Sequence, residues 1–190
     1  MNADEAMRRY AGGDAAAFEE LYAALASRLY SFCVRLAGRG GDADDLFQEA
    51  FLKLHRSRGT YAPGSNALHW AFAIVRSTYL DRLRARTRRP EELFASVEEG
   101  PGENSGEAHA SPESVLHAEA LARLVERELQ RMSERNRSAY VLLKLEGLTA
   151  AEAAAVLGTT GEAVKQRAFR AYEALREALS RAGWDRINRA

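Results

Sequence analysis

The sequence predicts an all-α fold made of two small helical domains that a flexible acidic linker joins. Two observations carry this prediction. Apolar residues recur at helical spacing through most of the chain, and no segment shows the alternation of a strand. Between the two helical regions, residues 91–113 combine prolines, glycines and glutamates, a composition that buries too little apolar surface to offset the entropy of ordering.

The first predicted domain covers residues 1–90 and begins with two helices. A short helix over residues 3–11 is stopped by Gly12 and Gly13, and Asp14 is predicted to cap a long second helix. The apolar residues of the long helix share one face: Phe18, Leu21, Tyr22, Leu25, Leu29, Phe32, Cys33 and Leu36.

The third and fourth helices of this domain are predicted on either side of a loop over residues 57–66. Asp42 follows two glycines and is predicted to cap the third helix. The inner face of the third helix is apolar: Ala43, Leu46, Phe47, Ala50, Phe51 and Leu54. The fourth helix is predicted over residues 67–89, apolar in its first half and rich in arginine in its second.

The second predicted domain covers residues 114–182, and residues 183–190 form a tail. Ser133 is predicted to cap a central helix that Gly147 ends. This helix carries Tyr140, Val141, Leu142, Leu143 and Leu145, and a separate helix that begins near Ser114 carries Leu116, Leu121, Leu124, Val125 and Leu129. Each of the two domains is large enough for a modest core.

The net charge is zero, but the charges are distributed unevenly. Residues 76–90 hold six arginines and one aspartate, a net charge of +5. Residues 91–119 hold eight glutamates and neither lysine nor arginine, a net charge of −8. Such blocks are typical both of interaction surfaces and of solvated segments, and charge alone does not separate the two.

Several classes of protein are disfavoured. The chain has no run of about 18 apolar residues for a transmembrane helix, and its N-terminus lacks the apolar stretch of a signal peptide, so we expect a cytoplasmic protein without membrane insertion. The four histidines show no metal-ligand spacing, and no phosphate-binding glycine loop or nucleophile elbow occurs. We therefore expect no catalytic site, no metal and no cofactor. Cys33 lies on an apolar face, which favours a buried thiol.

Residues 148–179 show the pattern of a helix-turn-helix. Thr149 and Glu152 have the spacing of a capping box that starts a short helix over residues 150–157. Gly158 stands where the chain must turn sharply, a place that often requires a positive φ angle. A short helix, a glycine turn and a second helix at a steep angle make up the helix-turn-helix motif.

The second helix of this motif is predicted to begin after Thr159, which has capping-box spacing to Glu162. Val164 is placed to fill the junction between the two helices. The N-terminal half of such a helix enters the major groove of DNA, and here it presents Lys165, Gln166, Arg167 and Arg170. Gln166 suits a base edge, and Arg167 suits a guanine or a phosphate. The alternative is an αα-hairpin with an ordinary charged face.

Residues 132–179 strongly resemble region 4 of the extracytoplasmic-function (ECF) sigma factors. DADDLFQEAFLKLHR, residues 42–56, resembles the signature helix of region 2 of that family, and WAFAIVRSTYLDRLRAR, residues 70–86, resembles the helix after its promoter-recognition loop. The resemblance covers nearly the whole chain. It implies a protein that binds the β′ and β subunits of core RNA polymerase, directs the polymerase to a promoter and opens the DNA. It also implies an anti-sigma factor as a partner.

The resemblance implies three groups of site residues. The core-polymerase surface comprises Asp44, Asp45, Leu46, Gln48, Glu49 and Lys53. The surface for the −10 element and its melted single strand comprises Arg58, Tyr61, Asn66, Trp70, Arg76, Arg82, Arg84 and Arg86. The recognition helix for the double-stranded −35 element comprises Thr160, Glu162, Ala163, Lys165, Gln166, Arg167 and Arg170.

The residues themselves leave alternatives for several of these roles. Tyr61 and Trp70 have rings that can stack on a flipped base, yet either can belong to the core. Asn66 can contact a base edge or cap a helix. The chain also departs from the usual family pattern at Ser77 and Ala73 in the first domain, and at Glu162 and Ala163 in the recognition helix, which puts the strength or the sequence of the promoter contacts in doubt.

Two other functions compete with this interpretation. A sigma-like decoy would keep the fold and bind an anti-sigma factor instead of DNA, but it needs no basic surfaces, and both DNA-facing segments here are basic. A helix-turn-helix repressor with an unrelated N-terminal domain would leave the acidic signature helix of residues 42–56 unexplained.

Overall fold

A computed structural model describes residues 2–88 and 112–184. Every regular element in these two ranges is helical, which confirms the predicted fold class. The α-helices are α1 (Ala3–Ala11), α2 (Ala17–Ala37), α3 (Gly41–Ser57), α4 (Ala67–Arg88), α5 (Pro112–Arg131), α6 (Glu134–Tyr140), α7 (Ala150–Leu157) and α8 (Gly161–Arg181). The predicted linker lies outside the described residues except for its last two, 112–113, with which α5 begins, and most of the predicted tail also lies outside.

Helices α1 to α4 form the N-terminal domain, and two of its predicted caps are wrong. Helix α2 begins at Ala17 with Ala16 as its N-cap, while the Asp14 carboxylate accepts the Ala16 amide at 3.1 Å and organises the preceding turn. Helix α3 begins at Gly41 after Gly40, whose φ of 98° is the left-handed region that favours glycine. Asp42 therefore lies inside the first turn, where its charge complements the helix dipole.

The core of the N-terminal domain forms along the predicted apolar faces of α2, α3 and α4. The rings of Phe32 and Phe72 meet at 5.0 Å in a T-shaped contact, and both side chains are fully buried. Cys33 is buried beside them, as predicted, and burial raises the pKa of its thiol to about 12. Within the described ranges no three metal-ligating side chains cluster, and none of the helices there has the length and apolar run to cross a membrane.

Helices α5 to α8 form the C-terminal domain. The Ser133 side chain caps α6 by accepting the Asn136 amide, as predicted. Helix α6 widens into one π-helical turn over Val141–Leu145, and Gly147 follows with a φ of 74°. Apolar side chains from α5, α6, α7 and α8 fill the interior: Leu129, Ala139, Leu142, Val156, Leu157, Val164, Ala168, Ala171 and Leu175.

The two domains pack directly against each other. Helix α4 contacts α7, and α2 contacts both α5 and α6. The buried apolar residues of the N-terminal domain and those around α6 and α7 form one continuous cluster. The arrangement of the domains is a result of tertiary packing that the sequence patterns did not predict.

Candidate nucleic-acid and polymerase interfaces

The first helix of the helix-turn-helix is α7, and its start is the predicted capping box. The Thr149 hydroxyl accepts the Glu152 amide at 3.2 Å, and the Glu152 carboxylate accepts the Thr149 amide at 2.8 Å. The hydrogen bond from the Thr149 side chain lowers the pKa of Glu152. These reciprocal bonds satisfy two backbone donors that the helix cannot satisfy itself.

The turn between α7 and α8 confirms the predicted role of Gly158 and corrects the next cap. Gly158 is left-handed, with φ 60° and ψ 46°, as a sharp helix end requires. The cap of α8 is Thr160, whose side chain accepts the Ala163 amide at 3.2 Å, and not Thr159. The Thr159 amide instead donates to the Ala154 carbonyl and completes the end of α7. Val164 is fully buried in the junction, as predicted.

The outer face of α8 presents the predicted DNA-contacting side chains to solvent. Lys165, Gln166 and Arg170 are exposed, and Arg167 is half-buried. The Lys165 ammonium lies 3.9 Å from the Glu162 carboxylate, a long and exposed pair that contributes little. Thr160, Glu162 and Ala163 form the helix start beneath these groups.

The acidic face of α3 is also open to solvent. Asp44, Asp45, Gln48 and Glu49 are exposed on the side of α3 away from the core. The Tyr30 hydroxyl donates to Asp44 at 2.9 Å, and this hydrogen bond raises the pKa of Tyr30. Leu46 is fully buried, so that it supports this face from beneath and does not itself reach a partner in this conformation.

The arginines of α4 are largely engaged by carboxylates of the same domain. Arg82 donates to the Asp42 carbonyl at 3.0 Å and lies 3.5 Å from the Asp45 carboxylate. Arg86 pairs with the Asp42 side chain. The arginine-rich segment is thus partly neutralised by the start of α3, although α4 keeps its basic last turn.

Asp81 links further basic groups of the α3–α4 pair. It accepts from Arg84 at 2.9 Å and from Lys53 of α3 at 3.1 Å. The hydrogen bond from Lys53 lowers the pKa of Asp81. Lys53, predicted to contact the polymerase, therefore holds α3 against α4 in this conformation.

The loop before α4 holds its aromatic residue inside the fold. Tyr61 is only 5 % exposed, and its hydroxyl donates to the Ser65 carbonyl. Its ring meets that of half-buried Trp70 edge-on at 5.4 Å. Asn66 accepts the His69 amide at 2.9 Å, which is the geometry of a helix cap. Arg58 stacks over the Tyr10 ring at 5.7 Å. Base stacking on Tyr61 would therefore need the loop to move.

Arg76 is the predicted DNA contact whose surroundings differ most from expectation. Its guanidinium donates to Glu134 of the C-terminal domain at 2.8 Å, and the two side chains are only 18 % and 11 % exposed. The sequence analysis missed Glu134 and also Arg137, a buried arginine of α6. No local signal marks either residue, because both act across the contact between domains.

These surfaces define a class of protein: a two-domain helical protein with a helix-turn-helix whose second helix is exposed, and with a separate acidic face on α3. Residues 21–89 match sigma-70 region 2, and residues 122–175 match sigma-70 region 4. The RNA polymerase sigma factor CarQ of Myxococcus xanthus is 36% identical over 173 residues, which cover 91% of this chain and 95% of that protein. The ECF RNA polymerase sigma-E factor of Escherichia coli strain K12 is 31% identical over 172 residues, covering 89% and 90%. This chain belongs to the ECF RNA polymerase sigma factors.

Two solved structures share the fold. The sigma factor RpoE from Bartonella quintana, in complex with the anti-sigma factor NepR, has a TM-score of 0.70 and 22% identity, covering 86% of this chain and 96% of that chain. CnrH, in complex with the cytosolic domain of CnrY, has a TM-score of 0.67 and 23% identity, covering 94% and 98%. At these identities the likeness concerns the fold alone.

Proposed function

We propose that this protein binds core RNA polymerase and directs it to promoters, with α3 docking on the polymerase and α8 contacting the −35 element. The observation that carries the proposal is the presence, on one chain, of a preformed helix-turn-helix with exposed Lys165 and Gln166 beside half-buried Arg167, and of a separate exposed carboxylate face on α3. The polymerase, whose β′ and β subunits are the expected partners, performs the catalysis. The protein acts where polymerase and promoter DNA are, in the cytoplasm.

The α3 face suits a basic partner surface. Asp44, Asp45 and Glu49 project from one helix together with the Gln48 amide, so that a basic helix of the polymerase can pair with them in one register. Tyr30 orients the Asp44 carboxylate through its hydroxyl. Charge complementarity of this kind raises the association rate and selects the partner more than it adds affinity.

The −10 element is the proposed ligand of the other face of the N-terminal domain. The exposed Arg84 and Arg86 suit phosphates, and Trp70 is the half-exposed aromatic ring next to the loop of residues 57–66. Extruding a base from the duplex costs a few kcal/mol, and stacking and base-edge contacts must offset this cost. An open groove of about 640 Å³ lies beside Asn66, Leu68 and Arg28 at the start of α4, and neither Tyr61 nor Trp70 lines it.

A further proposed partner is an anti-sigma factor. One of the similar solved structures, RpoE from Bartonella quintana, is a complex with the anti-sigma factor NepR, and the other, CnrH, is a complex with the cytosolic domain of CnrY. A pull-down from native cells that recovers only polymerase subunits would count against this partner.

The test of the main proposal is transcription with purified components. Protein and bacterial core polymerase are expected to initiate from specific genomic fragments, and the double variant D45K/E49K is expected to lose polymerase binding because it reverses the charge of the α3 face. The matched control E19K/E20K reverses two charges at the start of α2, outside that face, and should retain binding. Failure of the wild-type protein to bind the polymerase, combined with tight binding to duplex DNA, would favour a repressor. Binding only to an anti-sigma factor would favour a decoy.

A further inference from the structure

Three ion pairs of the same polarity join the two domains. In each pair an arginine of the N-terminal domain meets a glutamate of the C-terminal domain: Arg28 with Glu146 at 3.0 Å, Arg39 with Glu126 at 2.8 Å, and Arg76 with Glu134 at 2.8 Å. The glutamates are the less exposed partners, at 8%, 22% and 11%. We call this packing, in which the three pairs accompany a continuous apolar contact, the closed arrangement.

The pair between Arg76 and Glu134 uses the whole guanidinium of Arg76. The Arg76 Nε and Nη2 atoms donate to the two Glu134 oxygens at 2.8 and 3.4 Å, and Nη1 donates to the Leu157 carbonyl at 3.4 Å. Each nitrogen therefore faces an acceptor of the C-terminal domain. A DNA phosphate would need the same donors in the same bidentate geometry, so that Glu134 occupies the position that a phosphate would take.

Only one of the proposed binding surfaces is affected in this way. The recognition helix α8 keeps Lys165 and Gln166 in solvent, and α3 keeps Asp45 in solvent, whereas Arg76 is held at the contact between domains. The closed arrangement thus leaves the proposed −35 and polymerase surfaces open while it covers part of the proposed −10 surface.

A buried arginine makes the closed arrangement costly to maintain. Arg137 of α6 donates to the Leu36 carbonyl at 2.6 Å, to the Tyr79 hydroxyl at 3.3 Å and to the side chain of Gln130. Among the described residues these partners carry no counter-charge, and its Nε atom has no acceptor. Burying a cation without a carboxylate carries a desolvation penalty that separation of the domains would relieve.

Covalent geometry permits the domains to separate. The chain between residues 88 and 112 contains 24 peptide links, and at no more than about 3.6 Å each these set an upper limit of about 86 Å on its reach. Because the three pairs crossing between domains are ionic, salt also weakens the closed arrangement.

We infer that the protein restrains itself: Glu134 holds Arg76 in place of promoter DNA, and this part of the −10 surface becomes available only when the C-terminal domain moves away from α4. The inference rests on the proposed function, because it takes α4 to face the promoter. It assigns to Glu134 an inhibitory role that needs no second protein.

The closed arrangement is tested in the free protein by energy transfer between dyes. Cysteines introduced at the exposed positions Arg56 and Ser180 carry the dyes, while buried Cys33, whose pKa is about 12, stays unlabelled. Glu134→Gln removes the charge but keeps an oxygen for the Ser138 hydroxyl, which donates to Glu134 at 2.8 Å. We expect about tenfold more open molecules, which corresponds to about 1.4 kcal/mol.

The matched control is Glu128→Gln. Glu128 is similarly buried, at 14% exposure, and pairs with Arg131 inside α5 and not across the domains. It should leave energy transfer unchanged. An unchanged signal in Glu134→Gln, or an equal change in both variants, would overturn the inference.

The inhibitory role is tested with a single-stranded −10 oligonucleotide. Glu134→Gln is expected to raise the affinity by about tenfold, in step with the open population, and Arg76→Ala is expected to lower it. If Glu134→Gln opens the protein but leaves the affinity unchanged, the closed arrangement is not inhibitory. Transcription from a strong promoter distinguishes failure of the proposed function from failure of this inference. If the wild-type protein does not support initiation, the proposed function is contradicted. If initiation is normal but Glu134→Gln leaves energy transfer unchanged, only this inference is contradicted.

Discussion

Two basic helices face DNA in the proposed function, and their side chains are held in opposite ways. In α8 the recognition residues project into solvent, and the nearest carboxylate to Lys165 lies 3.9 Å away. In α4 the arginines meet carboxylates at the start of α3, at Asp81 and across the domain contact at Glu134. The recognition helix is ready to bind as it stands, whereas the arginine-rich helix must exchange protein partners for DNA.

This difference teaches that the number of arginines in a segment does not measure its free positive charge. Arg82 is 21% exposed and bonded to the backbone of α3, so that it stabilises the fold. Arg84 is 65% exposed and held only by a neighbour within its own helix, a pair that contributes little. Arg82 therefore stabilises the fold, whereas Arg84, two positions further on, leaves its charge largely exposed to solvent.

The largest effect is expected in the recognition helix. The triple variant K165A/Q166A/R167A should lose at least about 100-fold in affinity for a −35 duplex, because each good base contact contributes about 1–3 kcal/mol. Alanine favours helices, so that the fold should remain. Fluorescence anisotropy measures DNA binding, and co-purification measures polymerase binding, which should persist.

The control for the recognition helix is Arg176→Ala, which lies about three turns further along the same helix and pairs locally with Glu173. It should leave the affinity for the −35 duplex close to that of the wild type. Equal loss of DNA and polymerase binding in the triple variant would indicate misfolding and would contradict the assignment of α8.

A second effect separates the two arginines of α4. Arg82→Ala should lower the free energy of unfolding by about 2 kcal/mol, because it removes a charged donor from the Asp42 carbonyl. Arg84→Ala should change stability by less than about 0.5 kcal/mol and should reduce the salt dependence of DNA binding by about one phosphate contact. Urea unfolding and salt titrations measure the two quantities. Equal destabilisation by both variants would contradict the assignment of Arg82 to the fold and of Arg84 to DNA binding.

The smallest effect concerns the caps of the helix-turn-helix. Thr160→Ala should destabilise the protein by about 1 kcal/mol, because the Thr160 side chain caps α8. Thr159→Ala should have an effect within about 0.5 kcal/mol, since only its backbone amide is used. Thermal unfolding followed by circular dichroism provides the comparison, and the reverse order would mean that the sequence-based choice of Thr159 was correct.

Local patterns predicted the helices well because each pattern reports a local event. The Thr149–Glu152 capping box, the left-handed Gly158 and the buried Val164 all depend on residues a few positions apart. The errors at Asp14, Asp42 and Thr159 have one cause. A polar side chain near a helix start can cap it from more than one position, and backbone conformation decides which one does so.

The sequence by itself determined the all-helical fold class, the helix-turn-helix, the apolar faces and the family resemblance, because helical periodicity and helix caps depend on residues that are close together in the chain. Only the tertiary structure decided which charges stay free. Arg76 and Glu134 are 58 positions apart, and their pairing follows from how α4 packs beside α6 and α7. Long-range contacts between charged groups leave no periodic signal in the chain, and for that reason the engaged arginines of α4 and the exposed cations of α8 look alike until the fold is known.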